Sequence, residues 1–216
     1  VYREGITKVT KEQITAAREN GYVIKLLAIA ERIDADGSGE EGVSARVYPA
    51  LVPREHPLAA VRGAFNAVFV EAEAAGSLMF YGAGAGGVQT ASAVLGDLVS
   101  AAKRHVAGGP GLADSVHANL EVLPIERIYT RYQITIQAKD QPGVLAQIAN
   151  IFADHGVSVE TVEQSVNPSE PGKTPTASLM VGTHEATDAS LSSVVNSLAA
   201  SEAVESITSV IRVEGL

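Results

Sequence analysis

The chain has 216 residues, enough for one large domain or two small ones. Hydrophobic residues make up 46% and charged residues 19%, which supports a packed core and excludes wholesale disorder. A net charge of −9 with no basic block argues against nucleic-acid or anionic-membrane binding, and a Cys count of 0 removes disulfides, thiolate metal sites and Cys nucleophiles.

Zero Cys fits a cytoplasmic protein. No apolar run reaches the ~18 residues needed to span a bilayer, and the start of the chain lacks the charged and apolar regions of a signal peptide. Position 1 is Val, and Met occurs only at Met79 and Met180. The chain therefore reads as a piece of a longer protein, with removal of a tag or leader as the plainer alternative.

Taken in order, Thr10 and Gln13 make a capping box for a first helix, and Gly21 is a natural stop. Tyr22–Ile33 reads as a strand, Asp34–Gly42 as a polar Gly-rich hairpin loop and Val43–Val52 as the returning strand, with Val43, Ala45 and Val47 on one parity. Pro49, Pro53 and Pro57 end or edge that strand. Strands at 64–73 and 77–81 flank a turn at Ala74–Gly76, and a helix is expected from about Thr90 to His105. Asp34-x-Asp36-x-Ser38 resembles a calcium loop with Gly39 at its sixth place, but Ala45 stands where the bidentate Glu belongs and the flanks are strands. That loop reads as a solvated hairpin. The five His residues show no metal-ligand spacing, so no metal site is expected.

A composition shift at 107–115 places a domain boundary between 107 and 127. The second half is more regular. Tyr132–Gln137 alternates as a strand, and Asp140–Gly143 is a turn. Val144, Leu145, Ile148, Ile151 and Phe152 have helical spacing, closed by His155-Gly156. A strand at 157–164, a loop at 167–175, a strand at 176–182, a helix at 189–200 capped by Asp188 and a strand at 204–213 complete β-α-β-β-α-β, a ferredoxin-like order.

Gly82-Ala-Gly-Ala-Gly-Gly87 matches G-x-G-x-x-G between a strand and a helix. Glycines admit close approach of a ligand, and amides at a helix start attract anions and polar oxygens. Three readings stand: a tight structural junction, a backbone-lined ligand edge, or a full dinucleotide fingerprint. The fingerprint lacks its second parallel strand and its acidic residue about 20 residues on, because the helix runs into Gly108-Gly-Pro-Gly111 instead.

Tyr2–Ile6, Thr7–Thr10, Lys25–Ala28, Pro49–Pro53, His56–Leu58, Asn66–Val68, Gly82–Gly86, Thr90–Val94 and Gly96–Leu98 occur in the order and spacing of homoserine dehydrogenase, which residues 1 to about 105 resemble. The resemblance implies NADP- or NAD-dependent interconversion of aspartate semialdehyde and homoserine, in the pathway to threonine and methionine. It implies that Gly82, Gly84, Ala85, Gly86 and Thr90 border the nicotinamide end of the cofactor. It also implies that the nucleotide domain, the catalytic Lys and Asp and the sodium site precede Val1, so no catalytic residue is assigned in this chain.

Residues 131–212 resemble an ACT domain through the predicted topology and Asp140-Gln-Pro-Gly-Val-Leu145. Pro142 fixes φ, Gly143 admits close approach, and the amides of Gly143, Val144 and Leu145 open a helix toward an amino-acid carboxylate. By resemblance Asp140, Gly143, Val144 and Leu145 are effector-binding, with threonine as feedback inhibitor. An ordinary turn in a domain used only for dimerisation is the alternative.

The expected class is α+β: a mixed sheet with covering helices over 1–110, a linker at 111–127 and a ferredoxin-like regulatory domain over 128–216. A homodimer or higher homo-oligomer would cover the open sheet edge. The competing function is a non-catalytic amino-acid sensor whose Gly-rich turn is only structural.

Overall fold

The computed structural model describes residues 1–34, 41–108, 119–166 and 175–215. Most of the Asp34–Gly42 loop, most of the 107–115 stretch and most of the 167–175 loop lie outside the described residues, as do Asp36, Asp114 and His117.

The chain forms two compact units, 1–53 with 120–216, and 54–119. The first is built on one mixed sheet. Helix α1 (Lys11–Glu19) starts at the Thr10–Gln13 capping box, with both reciprocal bonds made. Gly21 follows its C-cap Asn20 at φ +81°, a stop that suits glycine. Strand β2 (Tyr22–Ile33) pairs antiparallel with β3 (Gly42–Pro53) along all twelve residues.

The other edge of β3 is shared by three parallel strands in series. Strand β6 (Glu121–Val122) meets residues 42–43, β1 (Tyr2–Arg3) meets 46–47, and β11 (Val204–Val213) meets 50–51. Each is prolonged by one more amide: Leu123 to the Val43 carbonyl, Glu4 to Val47, and Glu214 to Leu51. β3 is thereby central, and its last third is buried on both faces, which explains the apolar run Tyr48 to Val52. Earlier in the strand the buried parity is the polar one, Ser44, Arg46 and Tyr48, while Val43, Ala45 and Val47 are half-buried.

From β11 the sheet continues as β7 (Tyr129–Lys139), β9 (Thr176–Thr183) and β8 (Val159–Val166), all antiparallel. With α3 (Val144–Asp154) and α4 (Asp188–Ala200) this is the ferredoxin-like β-α-β-β-α-β unit, strand order 4-1-3-2, as the sequence predicts. A two-residue strand, β10 (Ala186–Thr187), precedes α4. The core of this unit comes from alternate residues of β7 and β9 (Ile134, Ile136, Leu179, Val181) and from one face of each helix (Ile148, Phe152, Leu191, Val194, Leu198). The cap of α4 is the Thr187 hydroxyl, which accepts from the Ser190 amide, so Asp188 is the first helical residue and not the cap expected from sequence.

In the second unit the predicted third and fourth strands make a hairpin of their own, β4 (Phe65–Ala72) with β5 (Gly76–Ala83). Helix α2 (Gly87–Ala107) begins three residues earlier than the sequence suggests, and none of its residues is buried. The α+β class and the mixed sheet stand. The boundary differs in kind: composition divides the chain once along its length, whereas pairing on β3 joins the first 53 residues to the last 97.

Truncating Phe152, which is 1% exposed, to Ala is expected to cost about 3–5 kcal/mol in urea unfolding. A loss under about 1 kcal/mol would mean that this core is not packed as described.

Candidate functional site

The Gly-rich turn joins β5 to α2. Gly82 and Ala83 are still in the β4–β5 ladder, opposite Asn66 and Phe65. The Gly84 amide donates to the Ala64 carbonyl at 3.2 Å, and the Asn66 carboxamide lies against Gly84. Gly86 is the N-cap of α2 at φ 137°, a conformation that suits glycine, and a Cβ there would collide with the Gln89 side chain. Its carbonyl accepts the Thr90 amide at 3.0 Å. The amides of Ala85, Gly86, Gly87 and Val88 take no protein acceptor among the described residues.

Of the five predicted residues, Ala85 and Gly86 therefore present open donors, Gly82 and Gly84 are committed to the hairpin, and Thr90 sits in the first turns of the helix. Gly86, Gly87, Thr90, Ala91, Val94 and Leu95 line an open groove of about 620 Å³. Open amide donors beside a groove lined by Ala91, Val94 and Leu95 could hold a polar oxygen next to a flat apolar surface. Asn66 was legible only within a motif; its contact with Gly84 comes from hairpin register.

The second bend joins β7 to α3. Gly143 is the N-cap of α3 at φ 90°. The Val144 amide is used by the Gln141 carbonyl at 3.3 Å, and the Gly143 carbonyl takes the Gln147 amide at 3.0 Å. Among the described residues, the amides of Gly143, Leu145 and Ala146 have no protein acceptor. Asp140 is exposed, its own amide bonded to the Pro175 carbonyl at 2.8 Å. Two of the three predicted amide donors thus stay without a protein acceptor at a helix start, where the dipole favours a carboxylate. His155, at the far end of α3, meets the Ser197 hydroxyl of α4 at 2.8 Å.

A third feature was missed. Arg212, in β11, is 8% exposed and carries ion pairs to Asp188 (2.8 Å) and Glu4 (3.0 Å). Tyr132 donates its hydroxyl to Asp188 at 2.9 Å. Burial alone would lower Arg212, but Tyr132 and Asp188 more than offset it and hold it above its ordinary value. Burial likewise pushes the Tyr132 hydroxyl up to about 12, Asp188 adding to the rise against Arg212. Beside this cluster Arg46 donates to Tyr48 (2.9 Å) and Ser44 (2.7 Å), and Tyr48 donates to Glu214. Burial raises the Glu214 carboxyl above the usual carboxylate range, the Tyr48 bond and Arg46 opposing it. An Arg in an otherwise apolar Val-Ile-Arg-Val strand was the available signal.

Among the described residues no His, Asp and Glu cluster could hold a metal ion, and no helix is long and apolar enough to cross a membrane.

A ferredoxin-like unit that shares one mixed sheet with the first 53 residues, together with a separate hairpin-and-helix unit bearing a glycine-rich turn, defines an α+β protein of two units. Comparison gives the family. Residues 1–99 match the homoserine dehydrogenase model and 132–203 the ACT domain model. The chain is 54% identical over its whole length to a homoserine dehydrogenase of Mycobacterium tuberculosis and 46% identical, over 99% of its length, to one of Corynebacterium glutamicum. A crystal structure of a homoserine dehydrogenase from Thiobacillus denitrificans superposes with a TM-score of 0.83 at 34% identity, covering 98% of this chain and 47% of that one. The chain belongs to the homoserine dehydrogenase family and carries an ACT domain. It spans about half the length of the curated relatives it matches.

Two outcomes follow. Gly143→Ala forces a left-handed φ on a residue with a Cβ and should cost about 1–2 kcal/mol in thermal or urea unfolding, although the space beside it is open; no loss would place that bend in another conformation. The folded state holds the Glu214 proton more tightly than the unfolded chain, so acidification from neutrality toward 4.5 adds stability. Glu214→Gln should therefore remove that contribution, so that its Tm falls relative to the unaltered protein's as pH drops from neutrality toward 4.5. Parallel curves for the two proteins would contradict this.

Proposed function

We propose that the chain is the C-terminal part of a homoserine dehydrogenase that reduces aspartate semialdehyde to homoserine with NADP or NAD, and that its ACT domain senses threonine. The observation that carries this is the identity of 54% along the whole chain to a protein of that name twice its length. The bound nicotinamide would supply the hydride. Residues of this chain would hold one side of the ring: Ala85 and Gly86 through their amides, and Thr90, Val94 and Leu95 along the groove.

Hydride transfer needs donor and acceptor carbons held in contact by a complete site. This chain presents one edge of such a site. The second unit also carries a great deal of uncovered apolar surface: Val88 is 80% exposed, Leu98 60%, Val106 85% and Phe80 64%. A long helix draws most of its stability from burying such a face. The nucleotide-binding part of the full protein is the proposed cover. A homodimer, cytoplasmic location and a place in threonine and methionine synthesis belong to the same reading.

The amide donors at Gly143 and Leu145, with Asp140 beside them, are the proposed seat of the effector's carboxylate and ammonium groups. A facing copy would close it with its β8 strand.

The chain alone should show no NADPH oxidation with aspartate semialdehyde, whereas the full-length protein should turn over. Turnover by the chain alone would overturn the division of the site. Leu98→Ser should leave the stability of this chain within about 0.5 kcal/mol and lower that of the full-length protein by more than 1 kcal/mol; equal effects would mean that α2 is not covered. Titration calorimetry with L-threonine at millimolar concentration should give binding to the chain. No heat and no thermal shift would remove the effector role from this bend.

A further inference from the structure

We propose that Arg212 is a coupling residue: its guanidinium ties the first helical residue of α4 to the end of β1, and through it an effector on the ACT domain acts on the rest of the enzyme. The regulatory half of this rests on the effector reading above; the physical joint does not.

Arg212 lies between the two modules. In register its strand neighbours are Tyr132 of β7 on one side and Ala50 of β3 on the other. Its Nε and Nη2 both reach Asp188 Oδ1, at 3.0 and 2.8 Å, and its Nη1 reaches Glu4 Oε2 at 3.0 Å. The cation is boxed by three rings, with centroids at 4.7 Å (Tyr48), 5.1 Å (Tyr2) and 5.3 Å (Tyr132). Tyr2, Glu4 and Tyr48 come from the homoserine dehydrogenase region, whereas Tyr132 and Asp188 come from the ACT domain.

One buried cation is therefore shared by carboxylates from both modules. Withdrawing Asp188, the buried partner, would strip this cation of its nearest counter-charge, which is strongly unfavourable, whereas losing the part-exposed Glu4 leaves the buried pair intact and cuts only the tie to β1. The fork geometry also fixes direction, since three guanidinium nitrogens are engaged at once. The start of α4 and the end of β1 cannot separate independently. Upstream, α4 is packed on α3, whose open end is the proposed effector seat. Ile148 and Phe152 meet Leu191, Val194 and Leu198 in one core, and His155 bonds Ser197. A shift of α3 on effector binding is handed to α4, Asp188, Arg212, Glu4 and the β1–β3 pairing. The coupling is steric and electrostatic, with no proton exchanged.

Glu4→Gln tests this with little risk to folding, because the Glu4 side chain is one-third exposed and the Arg212–Asp188–Tyr132 set stays whole. In the full-length protein with L-threonine as probe, Glu4→Gln should leave the calorimetric Kd within about twofold while cutting the inhibition reached at saturating L-threonine by at least about half. Arg212→Met should cut it as much or more. Maximal inhibition unchanged with binding intact would overturn the proposal.

A second measurement does not need the effector. Tyr132→Phe removes the hydroxyl that donates to Asp188, so it should speed hydrogen exchange at the Glu4 amide, which bonds the Val47 carbonyl at 2.8 Å. In a Glu4→Gln background the added effect should vanish. Equal effects in both backgrounds would overturn the joint itself. If the unaltered enzyme ignores threonine while the exchange effects are non-additive, the effector reading fails and the joint stands.

Discussion

One buried guanidinium constrains the whole arrangement. Arg212 can leave water only because Asp188 and Glu4 meet it and three tyrosine rings surround it. Those partners come from strands and a helix far apart in sequence, so the charge can be satisfied in only one relative placement of the first 53 residues and the ACT domain. The sheet agrees with it. β3 and β11 share just two register pairs, too few to fix two modules alone, and the polar cluster around Tyr48, Arg46 and Glu214 secures the same seam.

The second unit follows a different logic. Its hairpin and long helix hold a glycine-rich turn in shape while leaving much apolar surface in water. Phe65 and Tyr81 stack at 5.0 Å, and His56 meets Phe69 edge-on at 4.8 Å, but α2 buries nothing. In the function proposed above, regulation and chemistry divide by residue: the bend at Gly143 for control, the bend at Gly86 for the cofactor.

Much of this was legible in the sequence where the signals are local. The Thr10–Gln13 box, the β-α-β-β-α-β order and the helix stop at His155-Gly156 rest on period, caps and glycine, which act within a few residues. Both glycine-containing turns before α2 and α3 were visible for the same reason. Glycines 86 and 87 hid the true start of α2, because glycine carries no helix preference, and Thr187 was passed over as a cap because Asp188 has the same chemistry. Strands β1 and β6 are two residues each and exist only by pairing with β3. Arg212 stood out as a charge in an apolar strand, but its partners were illegible, since they lie 24 and 208 residues away. The buried polar parity of β3 ran against its apolar pattern for the same reason: long-range pairing overrode the local period.

The central claim is that residues 1–53 and the ACT domain form one cooperative body through the β3–β11 seam. Native-state hydrogen exchange across a urea series measures it directly. The account predicts that buried amides of β3 (Tyr48–Val52) and of β7 (Tyr132–Ala138) open with the same free energy and the same urea dependence. Separate openings, with β7 still protected where β3 exchanges freely, would contradict it.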